Sequence, residues 1–338
     1  MMKIFLVASL ICAAFIPAAF AQETLFDKGL RQFNDKQYDE AIVTFQQVVS
    51  TSPENYAAVY NIGLCHYNLE RYDRAAEAFK RSVAIKPDYV IAWVQLGNSL
   101  DYLDNYSEAI AAYQRAIQYD PKNSSAYFEL GVAHYRKKLY SEAIKAFKES
   151  IVLNPANATT YYRIGLCYRE TADQDNAQWA FEKAVERGIT NGYAQYELGK
   201  IYNDQDMVED AIRVLKSAVQ LKPDMTDAYI ELGNVYYNAN RATEAIPNYK
   251  RASELSPKNV TAILYLADAY LNAKRYDDAI QAYNKTIELD AKNASAVYGL
   301  GLVYYNQGNK ALVQAQYDKL KVLNPEQAAK LLGYLNKL

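Results

Sequence analysis

From Gln22 onward the apolar positions fall into paired stretches with 3.6-residue spacing, and the pairs return every 34 residues. In one unit Val59, Ile62, Gly63 and His66 share a face, and Ala75, Phe79, Ser82 and Val83 share another. This spacing predicts two short helices per unit. Nine frames follow in register, starting at Gln22, Tyr56, Val90, Ser124, Ala158, Gly192, Thr226, Val260 and Ala294. Helices this short are marginal alone, so packing on neighbours must hold them, and a fixed period of this size predicts stacked repeats.

Within the frame four positions carry the pattern. Position 8 is glycine at Gly29, Gly63, Gly97, Gly131, Gly165, Gly199, Gly233 and Gly301, with Ala267 in the eighth frame. Position 20 is alanine from Ala41 to Ala279 and Val313 in the last frame, and position 24 is large, as in Phe45, Phe79, Tyr113 and Leu215. Small residues at 8 and 20 allow two backbones to approach, and the bulky residue at 24 fills the space between them. Proline at position 32, as in Pro53, Pro121 and Pro257, ends the second helix. Two residues later Asn55, Asn123, Asn157, Asn191, Asn259 or Asn293 stands ready to cap the next helix. Asn123, Asn157, Asn259 and Asn293 also match the glycosylation sequon, as does Asn105 in a turn, but the capping position explains the first four without modification.

This set of positions resembles the tetratricopeptide repeat (TPR) family over residues 22–325. The resemblance implies an all-α fold, a right-handed superhelical solenoid of nine helix-turn-helix repeats. Residues 326–338 add a helix with Ala328, Leu331, Leu332 and Leu335 on one face, which predicts a C-terminal cap. In the first frame Lys28 and Gln32 stand where later frames carry apolar or aromatic residues, as expected of a helix no repeat precedes. One junction departs from the pattern: Gly188 and Gly192 bracket a turn with Ile189 in the proline slot, which reads as a bend or as a tolerated change of loop. Pro247 predicts a kink in the second helix of the seventh repeat.

The N-terminus has a secretory pattern. Lys3 precedes an apolar run from Ile4 to Ile16, and Ala19-Phe20-Ala21 offers a cleavage site after Ala21, so residues 1–21 are expected to be a signal peptide and the mature chain exported, periplasmic or secreted. Bulky Ile11 before Cys12 argues against a lipid-attachment site, and no second apolar run is long enough to span a membrane. Cleavage takes only Lys3 from 37 basic residues, against 39 acidic, a balance that disfavours nucleic acid. Cys65 and Cys167 sit three repeats apart and read as unpaired buried thiols.

No catalytic constellation emerges. Gly299-Leu-Gly301 lacks a third glycine and falls in a helix, and no nucleophile elbow or zinc-ligand pair is present. His66 and His134 occupy position 11, where tyrosine stands in other frames, with no second ligand one turn away. Asp204, Asp206, Glu209 and Asp210 cluster in a turn without the glycine of a calcium loop. The chain is therefore expected to be no enzyme, with no cofactor and no metal.

In proteins of the resembled family the first helices line a concave groove that takes extended peptides or a partner helix. Mapped here, the groove contains Tyr60, Asn61, Tyr67, Asn98, Phe128, Tyr135, Tyr162, Arg163, Tyr196, Lys200, Asn234, Tyr237, Tyr298 and Tyr305. Its rings could equally pack on the second helices. Acids outnumber bases at the groove positions, and Arg163, Arg169 and Lys200, with Arg136 nearby, form the one basic cluster, where an acidic ligand group would be read. The family's three-repeat clamp for a terminal carboxylate is missing. The resemblance thus implies a protein-binding scaffold or adaptor of the bacterial cell envelope. The alternative is a polysaccharide-binding or export-associated module, since tyrosine and asparagine suit stacking and hydroxyl recognition. Self-association of the array stays open.

Overall fold

The computed structural model describes residues 24–338, so the expected signal peptide lies outside the described residues. Those residues form nineteen α-helices and no strand. The chain divides after Ala133 into two compact units, both built from the same helical hairpin. The first holds α1 (Leu25–Asn34), α2 (Tyr38–Thr51), α3 (Tyr56–Asn68), α4 (Tyr72–Ile85), α5 (Val90–Tyr102), α6 (Tyr106–Tyr119) and most of α7 (Ser124–Arg136). The second holds α8 (Tyr140–Leu153), α9 (Ala158–Glu170), α10 (Gln174–Glu186), α11 (Tyr193–Asp204), α12 (Val208–Leu221), α13 (Thr226–Asn238) and α14 (Ala242–Leu255). It continues through α15 (Val260–Asn272), α16 (Tyr276–Leu289), α17 (Ala294–Asn306), α18 (Lys310–Leu323) and α19 (Pro325–Leu335). Consecutive helices pack on one another from α1 to α6 and from α8 to α19.

The glycine at position 8 lies against the side chain at position 24 of its own hairpin. A β-carbon on Gly29 would come within 2.6 Å of the Phe45 ring, and one on Gly63 within 2.6 Å of Phe79; Gly165 faces Phe181, and Gly233 faces Tyr249, in the same way. Phe45, Phe79 and Phe181 are fully buried, so those rings have no room to retreat. Repeat eight solves the problem differently. With Ala267 at position 8, the Tyr283 ring lies against Gly299 of the following hairpin. In repeat nine the capping helix takes over: Gly301 faces Leu331 of α19, which is buried with Ala328 and Leu335 as the sequence predicts.

Each turn between first and second helix repeats one geometry. Position 15 is left-handed in every repeat, at Lys36, Glu70, Asp104, Lys138, Ala172, Asp206, Asn240, Lys274 and Gly308. The next residue's N–H donates to the carbonyl five positions back, as in Arg71 to His66 (2.9 Å) and Arg241 to Tyr236 (2.8 Å), which closes a Schellman motif. Only the last of the nine uses the residue best suited to that conformation. Ala172→Gly is therefore expected to raise stability by about 0.5 kcal/mol, the relief of left-handed strain outweighing the entropy glycine adds to the unfolded chain. Urea unfolding of the two proteins checks it, and an unchanged or lower midpoint contradicts it.

Helix starts follow the sequence closely. Asn55, Asn123, Asn157, Asn259 and Asn293 each accept the backbone N–H three residues on, at 2.9–3.2 Å. Asn191 does not cap. Gly192 is the N-cap of α11, and Asn191 accepts from Tyr193 N instead, because the glycine-bracketed turn ends one residue later. That turn is anchored: Ile189 is buried, Gln195 donates to its carbonyl at 3.1 Å, and Arg187 donates to the Pro155 carbonyl at 2.7 Å while lying over the Tyr161 ring. Gly192 is left-handed (φ 75°), and a β-carbon there would meet the Ala218 carbonyl at 3.0 Å, so the turn needs glycine. Pro247 sits inside α14, which runs through it from Ala242 to Leu255.

Candidate functional site

A buried phenol needs a partner for its hydroxyl. Where position 24 is a fully buried tyrosine, position 9 of the same hairpin supplies an acceptor. Tyr113 donates to Asn98 (2.8 Å), Tyr249 to Asn234 (2.8 Å) and Tyr283 to Asp268 (2.5 Å). Where position 24 is Phe45, Phe79 or Phe181, position 9 is Leu30, Leu64 or Leu166. The carbonyls of Asn98 and Asn234, expected to face a ligand, are thus engaged within the hairpin. Their amides lie near Gln95 (3.4 Å) and Glu231 (3.3 Å). Asn61 donates to the Ala57 carbonyl of its own helix.

All fourteen expected groove residues lie on first helices, and each is half-buried. The first unit holds Tyr60, Asn61, Tyr67, Asn98 and Phe128; the second holds Tyr135, Tyr162, Arg163, Tyr196, Lys200, Asn234, Tyr237, Tyr298 and Tyr305. Rings at position 5 pack on position 24, as Tyr60 does on Phe79 (5.4 Å between centroids) and Tyr162 on Phe181 (5.9 Å). Rings at position 12 pack edge-on against position 17, as in Tyr67 with Tyr72 (5.3 Å) and Tyr135 with Tyr140 (5.5 Å). Tyr305 meets Tyr334 of the capping helix at 5.0 Å. Burial pushes the phenols of Tyr60 and Tyr196 up to about 12, helped by Tyr89 for the first and by Asp227, Glu197 and Glu231 for the second. These tyrosines stay neutral and present a ring and a hydroxyl, never a charge, at physiological pH.

The basic cluster is an ion-pair network. Arg169 binds Glu197 through one guanidinium nitrogen and Glu170 through another (2.7 Å), and Lys200 lies 3.7 Å from Glu197. Glu197 is buried between the two cations, so an acidic ligand group would have to displace it. The buried Nε of Arg163 has no partner among the described residues. Cys65 and Cys167 are free and buried, and burial raises both thiols to about 12, which keeps them protonated and inert. His66 and His134 each bury an Nδ1 without a partner among the described residues, and burial pulls both imidazoles below the usual range, so they sit neutral in tyrosine positions. No group of three or more potential metal ligands occurs among the described residues.

The first-helix face of the second unit opens into a cavity of about 330 Å³ lined by Asn203, Glu231, Asn234, Tyr237, Asn238, Tyr249, Tyr265 and Asp268. Two of the expected residues, Asn234 and Tyr237, meet here. Asn203 and Tyr265 were not among them, although both occupy groove positions: Asn203 stands at position 12, which is aromatic in five of the nine frames, and Tyr265 at position 6, which is polar or charged in every other frame but the last. Glu231 accepts from Asn203 at 2.9 Å and from Asn234 at 3.3 Å. Burial raises the carboxyl of Asp268, and the Tyr283 hydroxyl partly offsets this. A more apolar cleft of about 410 Å³ lies between α4, α5 and α6 around Trp93 and touches none of the expected groove residues.

A family profile for the C-terminal domain of cilia and flagella-associated protein 70 matches residues 51–259, more than half of the chain, and a tetratricopeptide repeat profile matches residues 230–294. The chain belongs to the tetratricopeptide repeat family. No curated protein sequence matches it. Among solved structures it is similar to MamA, with 27% identity over 47% of this chain and 93% of that one and a TM-score of 0.46. It is also similar to YrrB, described as a TPR protein with an unusual peptide-binding site, with 21% identity over 56% and 97% of the two chains and a TM-score of 0.49. PilF of Pseudomonas aeruginosa shares 18% identity over 62% and 96%, with a TM-score of 0.49. No helix among the described residues is long and apolar enough to cross a membrane.

Proposed function

We propose that this TPR protein is a non-catalytic scaffold that holds an extended segment or a helix of a protein partner on its first-helix face. The observation that carries the reading is the state of the expected groove residues. Every one is half-buried, and rings such as Tyr60 on Phe79 and Tyr162 on Phe181 are held by the second helix while part of their surface stays accessible. Rings fixed in this way lose little further entropy when a ligand covers them, which favours binding. The secretory pattern at residues 1–21 supports a place in the cell envelope, with residues 22–325 as the repeat array and 326–338 as its cap.

The packing also shapes the test. Alanine at these tyrosines would remove contacts with Phe181 and Tyr140 as well as any ligand surface, whereas leucine keeps apolar contact and loses the ring and hydroxyl. A triple variant, Tyr135→Leu, Tyr162→Leu and Tyr196→Leu, is expected to keep its helical signal and to lose at least about tenfold in affinity for a partner captured from envelope extract. Undiminished capture by the folded variant contradicts the reading, and retention of glycan in place of protein assigns the face to a polysaccharide.

A further inference from the structure

We infer that the cavity formed by α11, α13, α14 and α15 is a subsite for an arginine or lysine side chain of the bound segment. This inference rests on the scaffold reading and gives one part of that face a definite chemistry. The cavity carries two carboxylates, Glu231 and Asp268, and no basic residue lines it. Among the described residues neither carboxylate has an ion-pair partner, although the nearby Glu197 has two. Glu231 is held in place by two amides, from Asn203 at 2.9 Å and Asn234 at 3.3 Å, so it is aimed rather than free. Tyr237 and Tyr265 line the same space and offer the ring faces that cations seek. A volume of about 330 Å³ admits a guanidinium or ammonium group with part of its stem.

Asp268 carries the argument furthest. Its work inside the hairpin is to accept the Tyr283 hydroxyl, and in repeats three and seven asparagine does the same for Tyr113 and Tyr249. Folding therefore has a neutral substitute at this position. Burial penalises the charge of Asp268. A charge that the fold can do without, placed in a cavity beside a second carboxylate and two tyrosines, has a use in a cation from outside. The subsite is opposite in sign to the carboxylate-reading clamp that is missing from this chain.

The test uses N-acetyl-arginine amide as probe, followed through the tyrosine ring resonances of the full mature protein. N-acetyl-citrulline amide, of nearly the same shape without the charge, is the control. The arginine probe is expected to bind in the millimolar range and the citrulline probe to bind at least about tenfold more weakly. Asp268→Asn is expected to keep the melting temperature at or above that of the parent and to lose about tenfold in arginine affinity; Glu231→Gln, which leaves the Tyr283 bond untouched, is expected to lose a similar factor. Equal binding of the two probes, or unchanged binding by both variants, overturns the inference. Spermidine binding more tightly than the arginine probe assigns the cavity to a free polyamine and overturns the choice of occupant. A failed probe with partner capture still lost in the tyrosine-to-leucine variant removes the subsite alone, whereas a successful probe with undiminished capture removes the scaffold reading.

Discussion

Phe181→Ala is expected to destabilise the second unit by about 4 kcal/mol. The ring is fully buried, lies directly on Gly165, and receives Tyr162 at 5.9 Å. No neighbour can close the gap. Glycine at 165 has no side chain to swing in, and Tyr162 is tethered to the first-helix face. In a stack of repeats the loss is felt first by the adjoining hairpins, so unfolding should lose its single cooperative transition. Hydrogen exchange should quicken in α9 to α12 before it does in α15 to α19. Uniform acceleration along the unit, or a loss below about 2 kcal/mol, would show that position 24 is not the pin of each hairpin.

Gly63→Val sets helix propensity against packing. In an exposed helix the change would be favourable by a few tenths of a kcal/mol, since glycine is the poorer helix former. Here a β-carbon alone would come within 2.6 Å of the Phe79 ring, which is fully buried and cannot move aside, and valine adds two methyl groups beyond it. Overpacking of this kind costs about 1–3 kcal/mol and occasionally more, so packing wins and the variant should be about 2 kcal/mol less stable than the parent. Thermal and urea unfolding measure the difference. The eighth repeat shows how alanine is tolerated at position 8: the Tyr283 ring lies over Gly299 in the next hairpin. At the corresponding place after repeat two stands Gln95, which offers no such space.

The hairpins, their glycine and aromatic contacts and the cap were legible because each depends on a residue type that little else can replace. Gly63 and Phe79 answer one another in the sequence as they do in space. The left-handed turn at position 15 was not legible, because its backbone bonds are made by whatever residue is present, from Lys36 to Ala172 to Asn240, and leave no compositional trace. Asn191 misled for a related reason: it stands in the capping column, but the glycines around it move the helix start to Gly192. At the candidate site, sequence position placed every expected residue on a first helix and could not say what each already touched. Asn98 and Asn234 answer buried tyrosines, and Arg169 and Lys200 answer Glu197. The Asp268 cavity was hidden because its lining comes from three repeats and from several positions of the frame, so no single column marks it.

The central claim is that the first-helix face, and not the second-helix face, receives a protein partner. Photo-crosslinking tests it most directly, with a benzophenone amino acid placed one site at a time at Asn68 and Asn238 on first helices and at Lys80 and Lys285 on second helices, all four exposed. The expected result is a discrete protein adduct from Asn68 or Asn238 that the triple leucine variant no longer forms, with none from Lys80 or Lys285. Adducts confined to Lys80 and Lys285 would contradict the account and move the interaction to the opposite side of the hairpins.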